Sequence, residues 1–370
     1  MKCRFNSTAA VTNTGAGVPR RPRRRHGPGC IHEADILLSG PLLEALVISK
    51  RKFFKLSTAE VAKLVKAAGP QVCVFPINGT RRWFMLQHAH DAGEDPAQAY
   101  LSAFEKRSIE IAKLLFQHGL DTLLTPVFGE ELLHRGDQYN QMAAAGMAHM
   151  ANHPDFLSFY REYGVRVHFY GDYRKHLDGT EFSYLIDLFD RTTRDTAGND
   201  SYRLFYGVFA DDATEAVAEL TIRHFQENGD VPLRRELVAA YYGEYIEPAT
   251  LVIGFDKFSV FDYPLLGVGR ENLYFTLAPS PYLTERQLRD ILYDHVFLRA
   301  VEDPDYSRLP EHEMLFMQDF YLANREATLG VGGLHGGIWY PETRIKVPAD
   351  GSNPVKIKEN TAIARMSGRR

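Results

Sequence analysis

The spacing of apolar and polar positions changes period repeatedly along the chain. Apolar residues recur at helical spacing over 58–68, 97–118 and 137–163, whereas short runs rich in β-branched and aromatic residues occupy 72–77, 122–128 and 165–170. The alternation resumes with strand-like runs at 202–209, 250–255 and 272–276 and helical patterns at 213–227, 234–242 and 284–301. Strands separated by helices predict an α/β fold with a central, mostly parallel β-sheet flanked by helices. Neither an internal repeat nor a low-complexity linker interrupts residues 50–300, so one domain is expected over 47–340. The flanks read differently. Residues 1–46 are expected to be a disordered basic tail, and 341–370, polar and rich in Lys, Pro and Ser, a flexible C-terminal tail.

With 370 residues, 45% of them hydrophobic and 24% charged, the chain can bury a substantial core. Its best candidate for a membrane span, 36–48, is broken by Ser39, Gly40, Pro41 and Glu44, so no transmembrane segment is expected. The formal charge of −4 conceals an asymmetry. Lys2, Arg4, Arg20, Arg21, Arg23, Arg24 and Arg25 give residues 1–32 a charge of +7 with no acid among them, which leaves −11 on the remainder. An acidic body argues against nucleic acid as the partner. Cys3, Cys30 and Cys73 are too few and too scattered for a disulfide framework or a zinc site; they suit a reducing compartment, and a cytoplasmic location is expected.

In an open parallel sheet, ligands bind beyond the carboxyl ends of the strands. The first strand-like run leads into Asn78-Gly79-Thr80-Arg81-Arg82-Trp83. Glycine there lets the backbone approach a ligand, the amides of a following helix start carry positive partial charge, and two arginines offer planar, permanently charged forks. Taken alone, the hexapeptide reads equally well as a surface arginine pair after an ordinary turn. Beyond the second run, 129–137 adds Arg135, a third guanidinium placed where it could converge on the same diphosphate-like anion. Asp211 and Asp212 read as helix caps rather than metal ligands, and Asp172 as a cap or an arginine partner. His88 and His90, with no third ligand in view, read as a solvated loop, and Cys73 as a small buried residue. The glycines Gly332, Gly333, Gly336 and Gly337 resemble a phosphate loop but precede no helix start.

The strings FPINGTRRWF, VRVHFYGDYRKH, RLFYGVFADDATEAVAEL, TLVIGFDKFS and ENLYFTLAPSPYLTE follow in order the motifs of cis-prenyltransferases. Across 53–340 the chain is similar to the tuberculosinol synthase-like diterpene synthases, or tuberculosinyl transferases, built on that fold. The resemblance implies a cis-prenyltransferase fold, a prenyl diphosphate substrate, Mg²⁺ as cofactor and a homodimer. It also implies a diphosphate cradle of Asn78, Gly79, Thr80, Arg81, Arg82 and Arg135, with Asn78, Arg82, Tyr100 and Tyr139 in catalysis. Tyr100 and Tyr139 align with tyrosines of the relatives' active site. The pocket for the carbocation is expected to draw on Phe75, Trp83, Tyr100, Tyr139 and Tyr170, whose ring faces can stabilise positive charge. Phe84 and Tyr173 are nearby aromatic candidates, while Phe104 and Phe116 are assigned to the core.

Departures from the family pattern narrow the chemistry. The aspartate that heads the family's first loop and holds magnesium is Asn78 here, and a second acidic ligand aligns with Tyr282. The arginines and serine that grip isopentenyl diphosphate are replaced by Gly254-Phe255-Asp256-Lys257-Phe258-Ser259. A condensing synthase needs two anion sites, and this chain retains residues for one, so chain elongation is disfavoured. The expected reaction is ionisation of one C20 prenyl diphosphate, with water quenching the cation to a diterpene alcohol. The substrate is expected to be bicyclic and supplied by a separate class II cyclase, since the DxDD and DDxxD motifs are absent. Transfer of the diterpenyl group to adenosine and a non-catalytic accessory role are the alternatives.

Overall fold

The computed structural model describes residues 48–347 apart from 89, 91, 92, 302 and 343, so both expected tails lie largely outside the described residues. Six strands, β1 (Val72–Val74), β2 (Thr122–Phe128), β3 (Val165–Tyr170), β4 (Tyr202–Val208), β5 (Leu251–Phe255) and β6 (Asn272–Thr276), form an all-parallel sheet in the order β3-β4-β2-β1-β5-β6. The chain leaves β1 in one direction to β2 and later returns to its other side with β5. The topological switch point therefore falls at β1, between β2 and β5.

Around the sheet lie α1 (Lys50–Phe53), α2 (Thr58–Ala67), α3 (Thr80–Gln87), α4 (Pro96–Gln117), α5 (Asp137–Asn152) and α6 (Pro154–Tyr163). The second half of the chain adds α7 (Tyr173–Leu177), α8 (Tyr184–Thr196), α9 (Thr214–Asn228), α10 (Arg234–Tyr242), α11 (Glu285–Tyr293) and α12 (Glu311–Asn324). A two-stranded antiparallel hairpin, β7 (Gly332–His335) with β8 (Ile338–Pro341), follows α12. No helix among the described residues is long and apolar enough to cross a membrane.

Several boundaries differ from the pattern-based expectation for identifiable reasons. β1 ends at Val74 because Pro76, which has no N–H for a ladder, stands two residues on. The single helix expected over 137–163 is two helices, since His153 precedes Pro154 and adopts extended backbone (φ −68°, ψ 137°). Of the two expected caps, Asp212 accepts from the Thr214 amide at 2.8 Å, one residue ahead of the N-cap Ala213, whereas Asp211 accepts from the Glu130 amide after β2 and caps no helix. Gly336 and Gly337 form the hairpin turn, both with positive φ, rather than a phosphate loop.

Strand residues alternate between two apolar layers, so the sheet is buried on both faces. Cys73, Leu123, Leu204, Tyr206, Leu251 and Ile253 face the layer built with α4, α5, α6, α8 and α11. Val72, Val74, Leu124, Phe205 and Val252 face Val238, Tyr242, Ile246 and Leu266 on the opposite side. Cys73 is fully buried, and desolvation pushes its thiol pKa up, which makes it an inert core residue.

His295 bridges the sheet edge to β1. Its Nε2 donates to Gln71 Oε1 (3.0 Å) while its Nδ1 accepts from Asn272 Nδ2 (2.7 Å), a pattern only the neutral ring satisfies. Burial lowers its pKa to about 4. Because the unfolded chain binds that proton at about pH 6.5, stability is present above pH 6.5 and falls as pH drops towards 4, by at most about 3 kcal/mol. Urea unfolding at pH 7 and pH 5 is expected to show this loss, and His295→Gln to flatten it. Equal slopes in both proteins would assign the acid sensitivity elsewhere.

Candidate active site

The loop after β1 turns at Gly79, which has φ +74° and precedes α3. A Cβ at that position would stand 2.8 Å from the Phe255 ring and 2.9 Å from Pro279 Cβ, so only glycine fits both the backbone and the space. The loop is anchored to the one after β6. Asn78 N–H donates to Ser280 Oγ (3.1 Å), and Ser280 N–H donates to the Asn78 carbonyl (3.0 Å). Trp83 N–H makes the first bond of α3, back to Gly79, so the preceding amides of the first turn have no intrahelical acceptor and can serve an anion.

Three arginines surround this turn. The Arg81 guanidinium stacks over one ring, Tyr139, at 5.0 Å, and Arg135 stacks over the same ring at 5.2 Å. Tyr139 stands in the first turn of α5, just after the 3₁₀ turn Glu130–Arg135, so a single phenol gathers cations from two loops that follow different strands. Arg82 stacks on Phe255 at 4.8 Å and donates to Asp256 Oδ2 at 3.1 Å. Asp256, with φ +70°, directly follows β5. Loops after β1, β2 and β5 thereby meet at the switch point.

Behind this cationic rim lies a cavity of about 760 Å³, within the range of about 300–1,000 Å³ that suits a small hydrophobic ligand. It runs between α4, α5 and one sheet face. Phe75 follows β1, Thr125, Leu204 and Tyr206 come from the strands, Tyr100, Leu101, Phe104 and Ile111 from α4, and Tyr139, Met147 and Met150 from α5. Leu334, Ile338 and Trp339 of the C-terminal hairpin close part of the mouth. Tyr100 links lining to rim through a 2.8 Å hydrogen bond with Thr80 Oγ1. Burial raises the Tyr100 pKa, partly offset by the Thr80 bond and the Arg81 charge, so its phenol stays protonated at neutral pH.

Asn78, Gly79, Thr80, Arg81, Arg82, Arg135, Phe75, Tyr100 and Tyr139 all line this one cavity. Two pocket expectations fail. Trp83 lies on the buried side of α3, edge-on to His88, and does not line the cavity. Tyr170 points to the opposite sheet face, donating to the Asp262 carbonyl and packing on Tyr242, because adjacent strand residues face opposite ways and Phe169 takes the cavity-side layer. Phe84 and Tyr173 are likewise buried off the lining, although Phe84 meets Tyr100 edge-on at 5.4 Å. Phe104, assigned to the core, lines the cavity instead and stacks on Tyr100. Phe116 is core, between Phe159 and Tyr202. Sequence reasoning missed Asp256 as the partner of Arg82, and missed the hairpin at the mouth.

The magnesium implied by the family resemblance meets an unsuitable donor set. The head of the cradle offers the neutral Asn78 carboxamide, and the lining's acids, Asp256 and Asp262, belong to the loop after β5, with Asp256 engaged by Arg82. Mg²⁺ favours carboxylate oxygen, so these residues do not fit a protein-held ion.

An all-parallel sheet opening at its switch point onto an apolar cavity under three guanidinium groups defines an α/β protein with a site for an anionic head and an apolar tail. Over 298 residues, 80% of this chain and 99% of its own, tuberculosinyl adenosine transferase of Mycobacterium tuberculosis is 44% identical to it. The chain belongs to the family of that protein. A (+)-kolavelool synthase of Herpetosiphon aurantiacus is 28% identical over 286 residues, covering 75% of this chain and 92% of the synthase. No family model matches the chain. Among solved structures, lavandulyl diphosphate synthase from Lavandula x intermedia in complex with dimethylallyl diphosphate aligns with a TM-score of 0.49 at 14% identity, over 64% of this chain and 98% of its own. A probable undecaprenyl diphosphate synthase from Campylobacter jejuni aligns at 0.47 and 13%, with the same coverage of 64% and 98%.

Proposed function

We propose that the protein is a diterpene synthase that ionises a single C20 prenyl diphosphate and quenches the cation with water. The observation that carries this reading is the pair of guanidinium groups, Arg81 and Arg135, stacked on Tyr139 at the mouth of a cavity whose depth is apolar. A diphosphate fits the rim and a hydrocarbon fits the interior. Breaking the allylic C–O bond sends its electron pair to the diphosphate, where fixed positive charge and the amides at the start of α3 stabilise it. The cation left behind faces Tyr100 and Phe104, whose ring faces favour positive charge. Water attacks the cation, the C–O bond of an alcohol forms, and the released proton passes to the diphosphate. No step is assigned to Mg²⁺.

The loop after β5 supports a single anion site. Asp256 stands there and takes up one N–H edge of Arg82, and Lys257 is its one cation in the lining, a poor setting for a second diphosphate. A bicyclic substrate made by a separate class II cyclase, and a homodimeric assembly, belong to the same proposal. Transfer of the diterpenyl group to adenosine is the second reading, favoured by the 44% identity to a tuberculosinyl adenosine transferase. Incubation in H₂¹⁸O with and without adenosine separates the two. An ¹⁸O-labelled alcohol in both mixtures is expected; a nucleoside adduct formed only with adenosine, and no alcohol without it, would replace the first reading with the second.

A further inference from the structure

On the far side of the cavity wall, three helices bring Glu105, His149 and His153 together. Glu105 lies mid-way along α4, His149 in the last turn of α5, and His153 at the break between α5 and α6. One donor atom of each lies within 4.8 Å of the others. His149 Nδ1 is 3.3 Å from Glu105 Oε2, and His153 Nδ1, which accepts from the Asp155 amide at 3.4 Å, lies against Oε1. The two rings are stacked at 4.8 Å with planes 21° apart, so both present Nδ1 to the same carboxylate. Glu105 is 4% exposed, and its Oε1 makes no hydrogen bond among the described residues. A buried carboxylate is costly unless its charge is matched and its oxygens are satisfied.

We propose that this trio is a binding site for a borderline divalent transition metal, Zn²⁺ foremost. Two imidazole nitrogens and one carboxylate oxygen are a donor set suited to zinc, and the nitrogen ligands disfavour Mg²⁺ or Ca²⁺. With metal–ligand bonds of about 2.0–2.2 Å, tetrahedral donors stand roughly 3.3 Å apart, so small side-chain rotations close the observed triangle. His149 and His153 are 25% and 36% exposed, which gives the ion a way in and leaves the fourth position to water. The ion would tie α4 to the α5–α6 junction. Phe104 and Ser108 flank Glu105, Met147 and Met150 flank His149, and all four line the cavity, so the metal would brace its wall from behind. This site is independent of the proposed reaction and of the diphosphate cradle.

The test uses the full chain, stripped with a chelator, and reads metal binding rather than turnover. Zn²⁺ titrated against a chromophoric chelator is expected to show one tight equivalent, and Co²⁺ to give visible ligand-field bands of a low-coordinate site. Each of Glu105→Gln, His149→Ala and His153→Ala is expected to weaken binding by about 100-fold or more, beyond the 10–100-fold typical of outer-shell changes. The buried Glu105 substitution can disturb folding, so the two partly exposed histidines carry the test by themselves, with circular dichroism confirming the fold. Binding of less than one equivalent would overturn the site and leave a hydrogen-bonded trio. Unchanged affinity in both histidine variants would do the same by locating the metal elsewhere.

Discussion

Replacing Arg82 with alanine is expected to lower kcat/KM for an allylic C20 diphosphate by about 100- to 1,000-fold, or ~2.7–4 kcal/mol of transition-state stabilisation, the usual loss when one preorganised donor to developing charge is removed. The arginine is held in place by two contacts, the Phe255 ring at 4.8 Å and Asp256 at 3.1 Å, so its charge is already aimed at the rim before substrate arrives. Arg82→Lys keeps the charge but loses the planar fork and the stacking, and should recover only part of the rate. Unchanged circular dichroism in both variants would exclude a folding defect. Equal kcat/KM in wild type and Arg82→Ala would contradict the role assigned to Arg82, and no turnover in either protein would leave the accessory-subunit reading.

Gly79→Ala is expected to damage the protein in a second way, through the backbone that shapes the cradle. A non-glycine residue at φ +74° costs about 1–2 kcal/mol, and forcing a methyl against the Phe255 ring and Pro279 adds about 1–3 kcal/mol. Relief of that clash moves the loop that carries Asn78 and the start of α3, so activity should fall further than stability explains. Gly229→Ala supplies the control, because φ is +80° there but nothing lies within 4 Å of the added Cβ. Chemical denaturation of the two variants should differ by the contact contribution. Equal losses of stability would mean that the close packing around Gly79 has no energetic weight.

Much of this architecture was legible because strands buried on both faces leave continuous apolar runs. The runs at 122–128, 165–170 and 272–276 match β2, β3 and β6 residue for residue. The cradle was legible for a different reason: Asn78 to Arg82 are contiguous, and a glycine before two arginines at a strand end is a local signal. Side-chain direction was not. Tyr170 and Phe169 are neighbours in sequence but belong to opposite sheet faces: β3 alternates, setting Tyr170 on the face of Arg166 and His168, yet that alternation does not mark which face holds the cavity. The same blindness misassigned Phe104, since a helix face lining a cavity has the same 3.6-residue period as one packed in a core. Asp256 was missed because its role depends on β5 lying beside β1, a pairing set by topology rather than by separation along the chain.

The single-cradle reading is tested most directly by offering both substrates at once. Purified protein is incubated with an allylic C20 diphosphate and ¹⁴C-labelled isopentenyl diphosphate, and the products are separated by chain length. The expected result is release of inorganic diphosphate with an unlabelled C20 product, because Asp256 and Lys257 stand where a second diphosphate would need its arginines. Radiolabel in C25 or longer polyprenyl chains would contradict it, showing that a homoallylic diphosphate finds a second berth beside the rim.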